Sequence, residues 1–326
     1  MDRSAFVRFA VTGLLTLPFG AVAQSSDARM RRVAVMFQGV GWRPAAFFRH
    51  AMMELGYNEG QTLVIETRAA QGDSQRFPSL IGELVATKPE VIVVETTPGA
   101  LAAKRATSTI PIVIINVSDP VGSGLVDSLA RPGGNVTGST DFGVELAEKS
   151  VELIRAVVPK AVRLGVLMSD NPVHRSQFAA IRAAADRLSL SALSFHVASV
   201  DDLEPVFAAM VAQKVDAFIP LGGAPLSGTT PQADMVTALA AKARLPAVYG
   251  GADFAKRGGL MSYGPNSVAM WKRTATYVDR ILKGAKPADL PVQQPTDFEL
   301  FINRRTAASL GIKIPQALQV RAELID

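Results

Sequence analysis

The chain has no cysteine, which removes disulfides, thiolate catalysis, cysteine-ligated zinc and a lipid-modified N-terminal cysteine in one stroke. Histidine is nearly as scarce: His50, His174 and His196 are the only three, and no two stand at i, i+4. A histidine-based metal site would need side chains gathered from distant segments, so no metal and no cofactor are expected. Neither a G-x-S-x-G elbow nor a G-x-x-x-x-G-K-[ST] loop occurs, so the local cues for serine hydrolases and P-loop enzymes are missing. Charge of one sign is never concentrated. Lys and Arg total 34 against 29 acids, a formal +5, and no run of five or six basic residues offers a footprint for nucleic acid.

What is present begins with an export signal. Arg3 and Arg8 precede an apolar run from Phe9 to Phe19, followed by Gly20 and the small-x-small triplet Ala21-Val22-Ala23. This layout predicts a signal peptide over residues 1–23, cleaved after Ala23, and a periplasmic protein. A membrane helix needs about 20 apolar residues, and Gly13, Pro18 and Gly20 interrupt this short run. No later segment reaches spanning length, so the mature chain is expected to be free of the membrane.

At 326 residues with 48% apolar and 19% charged residues, the chain exceeds what one core usually organises. After residue 29, β-branched runs alternate with segments of helical period, the mark of parallel βα units. Strands are predicted over 32–37, 63–67, 90–95 and 112–115, with helices over 44–55, 74–87 and 99–107. The pattern restarts with strands over 163–168, 192–197, 217–220 and 247–249, and helices over 172–188, 202–213 and 230–243. Continuous apolar runs such as Val91-Ile-Val-Val94 suit strands buried on both faces. The halves also echo each other: Lys88 to Pro98 resembles Lys214 to Pro225, and Thr109-Ile-Pro-Ile-Val113 resembles Arg244-Leu-Pro-Ala-Val248, which points to a duplicated lobe.

Between the halves, Arg131-Pro-Gly-Gly-Asn-Val-Thr-Gly138 reads as a crossing that takes in the last short strand of lobe one, and Gly258-Gly-Leu-Met-Ser-Tyr-Gly264 as a second crossing. A helix over 267–282 has no strand partner in the second half, and 298–302 reads as a further extended pass. The fold class expected is α/β, with two Rossmann-like lobes of parallel sheet joined by multiple crossovers. The N-terminal lobe takes 30–140 plus 262–290, and the C-terminal lobe 141–261 plus 291–326. Several crossings at one seam allow hinge closure.

Open α/β sheets bind ligands at the C-terminal ends of their strands, and small polar residues gather there. In the first half they are Gln38 and Gly39, then Glu95-Thr96-Thr97, then Asn116-Val-Ser118-Asp119. In the second they are Ser169-Asp170-Asn171, Gly222-Gly223 and Tyr249-Gly250. Helices start just after several of these loops, so free N–H groups would favour a carboxylate. Thr96, Thr97 and Ser118 carry hydroxyl donors, while Asp119 or Asp170 would pair with an ammonium. Tyr249, Trp42 and Phe254 would pack on an apolar part. For any one of the Ser, Thr, Asp and Asn residues, helix capping accounts for its presence equally well. Gly39-Val-Gly41-Trp-Arg-Pro44 imitates a dinucleotide loop, but Pro44 stands where the third glycine belongs.

Taken together, several motifs resemble the ABC transporter substrate-binding proteins of the group with tryptophan- and tyrosine-binding members. They are Leu55-Gly-Tyr-Asn-Glu-Gly60, Ala102 to Val113, Asp119-Pro-Val-Gly-Ser-Gly-Leu-Val126, Arg131 to Gly138, Gly259-Leu-Met-Ser-Tyr-Gly264 and Ile281 to Thr296. The resemblance covers nearly the whole chain and implies a type I periplasmic binding fold. It also implies capture of an amino-acid-like or aromatic solute, delivery to an ABC permease, and a monomer without catalytic activity. Carried over by position, the implied ligand contacts are Thr96, Thr97, Asn116, Asp119, Asn171 and Tyr249. Relatives often begin with twin arginines, whereas Met1-Asp-Arg-Ser has one, which favours the general export route. The stretches 38–43 and 220–227 vary in the family, so the solute's identity stays open. Two alternatives also remain open: an exported enzyme using Asp119, Asp170 and Tyr249 as acids and bases, and a sensing lobe serving a membrane receptor.

Overall fold

The computed structural model describes residues 30–40, 42–223, 226 and 232–326; the expected signal peptide lies outside the described residues. In chain order the first half holds β1 (Arg31–Phe37), α1 (Trp42–Glu54), β2 (Leu63–Ala69), α2 (Phe77–Ala86), β3 (Val91–Glu95), α3 (Thr97–Ala106), β4 (Ile112–Val117) and β5 (Val136–Thr140). There follow α4 (Gly143–Val157), β6 (Arg163–Met168), α5 (His174–Arg187), β7 (Ser191–His196), α6 (Leu203–Ala212), β8 (Ala217–Pro220), α7 (Gln232–Ala243) and β9 (Val248–Tyr249). The last part holds α8 (Ala252–Lys256), β10 (Met261–Pro265), α9 (Ser267–Leu282), β11 (Phe298–Asn303), α10 (Arg304–Leu310), α11 (Gln316–Gln319) and β12 (Glu323–Ile325).

Lobe one is a five-stranded parallel sheet in the order β2-β1-β3-β4-β5. Strand alternation sorts its core onto two faces. Val33, Val35, Phe37, Val91, Val93, Val113 and Ile115 turn toward α1 and α9, while Ala34, Met36, Ile92, Val94, Ile112 and Ile114 turn toward α2 and α3. Helix α9 is thus the unpartnered helix over 267–282, returned to lobe one, where Trp271 packs its ring 5.6 Å from Phe37 and 5.9 Å from Phe48.

Lobe two joins the order β7-β6-β8 to β9-β10-β11-β12, the seam between β8 and β9 being a single parallel bridge from Phe218 to Ala247. Its strands run parallel except for β10 against β11, which are antiparallel. The echo between the halves has a backbone counterpart. Lys88 and Lys214 both adopt left-handed φ, 53° and 54°, at the helix exit just before β3 and β8. Glu90 and Asp216, two residues on, each accept a backbone N–H from the neighbouring first strand, at Arg32 and Arg163.

Helix α4 occupies a stretch for which the sequence reading assigned no element. Its apolar residues Ala147, Val151, Ile154 and Val157 recur at helical spacing and join the core of lobe two, a signal hidden behind the Pro/Gly-rich crossing that precedes it. The helix expected over 74–87 opens as a 3-10 turn over Ser74–Arg76, where the Asp73 side chain accepts from the Gln75 N–H, before α2 begins with Pro78 in its first turn.

Strand pairing moves two of the expected lobe seams. Ser262–Pro265, expected in lobe one, pair with β11 as part of β10 in lobe two. Residues 291–293, expected in lobe two, lie along β5 instead, with the Val292 N–H donating to Leu129 and the Gln293 N–H to Gly138. Three segments cross between lobes: β5 to α4, β10 to α9, and the stretch from α9 to β11. An aromatic ring marks each crossing. Phe298 lies 6.1 Å from Phe142 and 5.9 Å from Tyr263.

Candidate ligand-binding site

The C-terminal strand ends of the two lobes face each other across a cavity of about 430 Å³, a volume suited to a small solute. Lobe one contributes Gln38 after β1, Glu95 and Thr96 after β3, Asn116 and Ser118 at the end of β4, and Asp141 after β5. Lobe two contributes Asn171, Leu221 to Gly223, Leu226 and Gly250 to Phe254 from its strand-end loops, with Gln177 from α5.

The backbone at the lobe-one rim is strained in a consistent way. Thr96, Asn116 and Phe142, at the exits of β3, β4 and β5, have φ of 65°, 57° and 59°. Asparagine tolerates this region, but a β-branched threonine with ψ of 157° rarely does. Each such residue costs about 1–3 kcal/mol and persists only where the surroundings hold it, typically at functional sites.

Two acids stand on this rim. Glu95 is 4% exposed and accepts the Gln38 N–H at 2.7 Å; burial pushes its carboxyl up to about 7. Asp141 faces the cavity, accepts the Ser118 hydroxyl at 3.2 Å and the Gly143 N–H at 2.9 Å, and is pushed up to about 6 by desolvation that these hydrogen bonds only partly offset. The Thr96 hydroxyl donates to the Gln38 Oε1 at 3.2 Å, leaving the Gln38 Nε2 buried with no partner. Apolar wall comes from Phe47, Trp271, Tyr263, Phe301 and Phe254.

The lobes meet over this cavity. Arg43, at the start of α1, pairs with Asp253 of α8 at 2.6 Å, and Gln177 of α5 reaches Ser118 of lobe one at 3.5 Å. His174, 1% exposed, holds two lobe-two loops together: the Ser169 N–H donates to its Nδ1 at 2.8 Å, and its Nε2 lies 2.8 Å from the Gly222 carbonyl, so Nε2 carries the proton. Burial lowers its pKa, so it is a neutral strut.

Of the residues expected from sequence, the structure brings Gln38, Thr96, Asn116, Ser118, Asn171 and Gly223 to the cavity. Six others do not line it. Gly39 is buried beside Gln38, and Thr97 is buried as the first residue of α3. Ser169 is covered, its Oγ 3.4 Å from His174. Asp119 turns back on its own loop and accepts the Gly122 N–H at 2.7 Å, away from the cavity. Asp170 points to the surface, where it meets His196 at 2.8 Å with both side chains more than half exposed. Tyr249 is 1% exposed and stacked 4.5 Å from Phe254, inside the core of lobe two; its phenol is raised by burial. The side chain of Trp42 lies outside the described residues.

Residues that the sequence reading missed are Asp141, Gln177, Asp253 and Trp271. Asp141 obeys the same strand-end rule as Thr96, but its strand was read as the tail of a crossing. Gln177 and Trp271 come from helices, where nothing in a single sequence separates a cavity-facing turn from a core-facing one. Among the described residues, no group of three or more His, Asp or Glu side chains is placed to hold a metal ion, and no helix is long and apolar enough to cross a membrane.

This fold has counterparts among solved structures. A Streptococcus pneumoniae ABC domain crystallised with L-Trp is 26% identical and superposes with a TM-score of 0.83, covering 91% of this chain and 100% of that one. A conserved domain protein from Vibrio cholerae O1 biovar El Tor is 30% identical, with a TM-score of 0.82 and the same coverage. The tyrosine-binding protein of Clostridioides difficile strain R20291 is 26% identical over 82% of this chain and 76% of its own length. Residues 45–325 match the family described as ABC transporter substrate binding protein. Fold, cavity and sequence therefore agree: this chain belongs to the ABC transporter substrate-binding protein family.

Proposed function

We propose that this chain is the solute-binding component of an ABC importer, working outside the cytoplasm, which closes its lobes over an amino-acid-like solute with an apolar side chain and presents it to a membrane permease. The observation that carries this reading is the cavity itself, closed by the Arg43–Asp253 pair and divided between a polar lobe-one rim and an aromatic wall. The solute's carboxylate lies toward the Gln38 Nε2, a buried donor with no partner, and its apolar part lies against Trp271, Phe47 and Phe254. The tyrosine-binding relative and the L-Trp complex support an aromatic amino acid as the first class to test. The expected export signal, ending at Ala23, supports work beyond the cytoplasm, and the mature chain acts as a monomer.

Asp119, Asp170 and Tyr249, the acid–base candidates of an enzyme, all lie away from the cavity, which supports capture over turnover. The ligand favours closure only by the margin with which it prefers the closed form. Thermal-shift and titration calorimetry screens of the purified protein against L-tyrosine, L-tryptophan, L-phenylalanine, aliphatic amino acids and aromatic acids test the reading. A ligand at 100 times its Kd adds roughly 2.7 kcal/mol of stability. Absence of any shift across the amino acids, or recovery of chemically altered solute by mass spectrometry, would overturn it.

A further inference from the structure

We propose that Asp141, Ser118 and Gln177 form a seat for a primary ammonium group, shared between the lobes, so that the solute must carry a free amine. The inference rests on the amino-acid reading above and assigns its amine end.

The seat is assembled from three elements. Asp141 follows β5 at the first crossing, Ser118 follows β4, and Gln177 stands on α5 of lobe two. The Gln177 Nε2 is 3.5 Å from the Ser118 Oγ, and the Ser118 hydroxyl donates to the Asp141 Oδ2 at 3.2 Å. Gly143 makes this convergence possible. A Cβ at that position would stand 2.4 Å from the Ser118 Oγ and 2.5 Å from the Gln177 Nε2, so any side chain would push the three groups apart.

Two observations point to an ammonium in particular. Gln177 is 6% exposed, yet its Oε1 has no hydrogen-bond partner, an acceptor that is costly to bury unsatisfied. Asp141 has no cationic side chain paired with it among the described residues; its only charged neighbour of consequence is Glu145, which repels it. The acids around the cavity, Glu95, Asp141, Asp253, Glu299 and Glu323, outnumber the cations Arg43 and Lys256. Arg43 is held by Asp253, and Lys256 lies 4.9 Å above the Phe301 ring. An –NH3+ group has three donors and no acceptor. The Asp141 carboxylate, the Ser118 oxygen and the Gln177 Oε1 are three acceptors, drawn from both lobes, and the carboxylate supplies the missing counter-charge. A solute so held ties lobe one to lobe two, and closure follows from the binding.

The test is calorimetric titration of matched pairs that differ only in the amine: L-tryptophan with indole-3-propionate, L-tyrosine with 3-(4-hydroxyphenyl)propionate, and L-leucine with 4-methylpentanoate. The amine-bearing member should bind at least about tenfold tighter, the scale of a charged hydrogen-bonded contact. Asp141→Asn, which retains an acceptor for the Gly143 N–H, should erase that preference while the deaminated acid keeps its affinity. Gln177→Leu, which leaves Asp141 untouched, should weaken the amine alone and serves if Asp141→Asn is poorly folded. Equal binding within a pair, or undiminished preference in both variants, would reduce the cluster to a structural relay and end the proposal, with the amino-acid reading intact. If no member of any pair binds, both fall together.

Discussion

At the end of β3 in lobe one stands Glu95, a buried acid; at the matching end of β8 in lobe two, counting equally from the left-handed Lys88 and Lys214, stands Leu221, equally buried and apolar. The contrast runs along both rims. Lobe one presents Gln38, Glu95, Thr96, Asn116, Ser118 and Asp141 on a backbone held in left-handed turns at Thr96, Asn116 and Phe142. Lobe two presents Ile219, Leu221, two consecutive glycines, Leu226 and Phe254, with its polar groups carried instead by side chains from loops, helices and the far strands: Asn171, Gln177, Asp253, Lys256, Glu299 and Glu323. Two lobes of like architecture line the cavity differently. Lobe one carries its polar groups on strand exits whose backbone is strained, whereas the strand exits of lobe two are mostly apolar or glycine, so the fixed backbone geometry of the site is concentrated in lobe one.

The comparison can be broken most forcefully at Trp271, which ties α9 to the lobe-one sheet beneath the cavity. Trp271→Ala should cost about 3–5 kcal/mol, measured by urea denaturation, and should abolish high-affinity binding; a loss below about 1 kcal/mol would mean that the polar face does not depend on this packing. Next in size is a pH effect carried by the lobe-one acids and partly opposed by His174 of lobe two, whose pKa is lowered by burial, so that its contribution grows as pH rises. Below pH 4.5, the ordinary value for the carboxyl of Glu95, that group is protonated in both the folded and the unfolded chain. As pH rises, the unfolded chain releases its proton first, while the folded chain keeps it to about 7, so stability falls across that window. The loss is on the order of 2–3 kcal/mol for this residue, and Asp141, raised to about 6, adds in the same direction. Ligand-free protein should therefore melt lower at pH 8 than at pH 5, and Glu95→Gln should flatten the difference. A rising Tm over that range would contradict the picture.

Smaller again is the contact that joins the rims. Arg43 and Asp253 are partly solvated, and pairs of this kind contribute about 0–1 kcal/mol. Asp253→Asn should weaken ligand binding up to about fivefold, with less effect at high salt, where screening already diminishes the pair; a hundredfold loss would make Asp253 a ligand contact. Least of all, Asp170→Ala should change stability by no more than about 0.5 kcal/mol and leave affinity untouched, since its carboxylate faces His196 at the surface.

The alternation of Val91-Ile-Val-Val94 and its counterparts made the βα order readable from the chain, because strands buried on both faces have a composition that loops and helices lack. The strand-end rule reached Gln38, Thr96, Asn116, Ser118, Asn171 and Gly223. It failed where one torsion angle or one step of register decides the outcome. Asp119 follows the left-handed Asn116 and closes a tight turn on Gly122, a choice that no pattern of residue types expresses. In β9, Val248 faces the cavity and its neighbour Tyr249 faces the core cluster beside Phe254. Alternation guarantees that only one of the two can face the solute, without saying which. Asp141 was missed for the opposite reason: the rule covered it, but the short, glycine-containing strand before it is read only as part of the Arg131–Gly138 crossing, and the rule is not carried to its end.

The three crossings have a further consequence for how the molecule is made. Lobe one is finished only when α9 and Val292 join a sheet begun at Arg31, and lobe two only when β10 to β12 extend a sheet begun at Arg163. No leading portion of the chain that stops short of residue 292 contains a self-sufficient half. Synthesis from the N-terminus therefore leaves apolar sheet faces uncovered until nearly the whole polypeptide has emerged, and both lobes consolidate late and almost together.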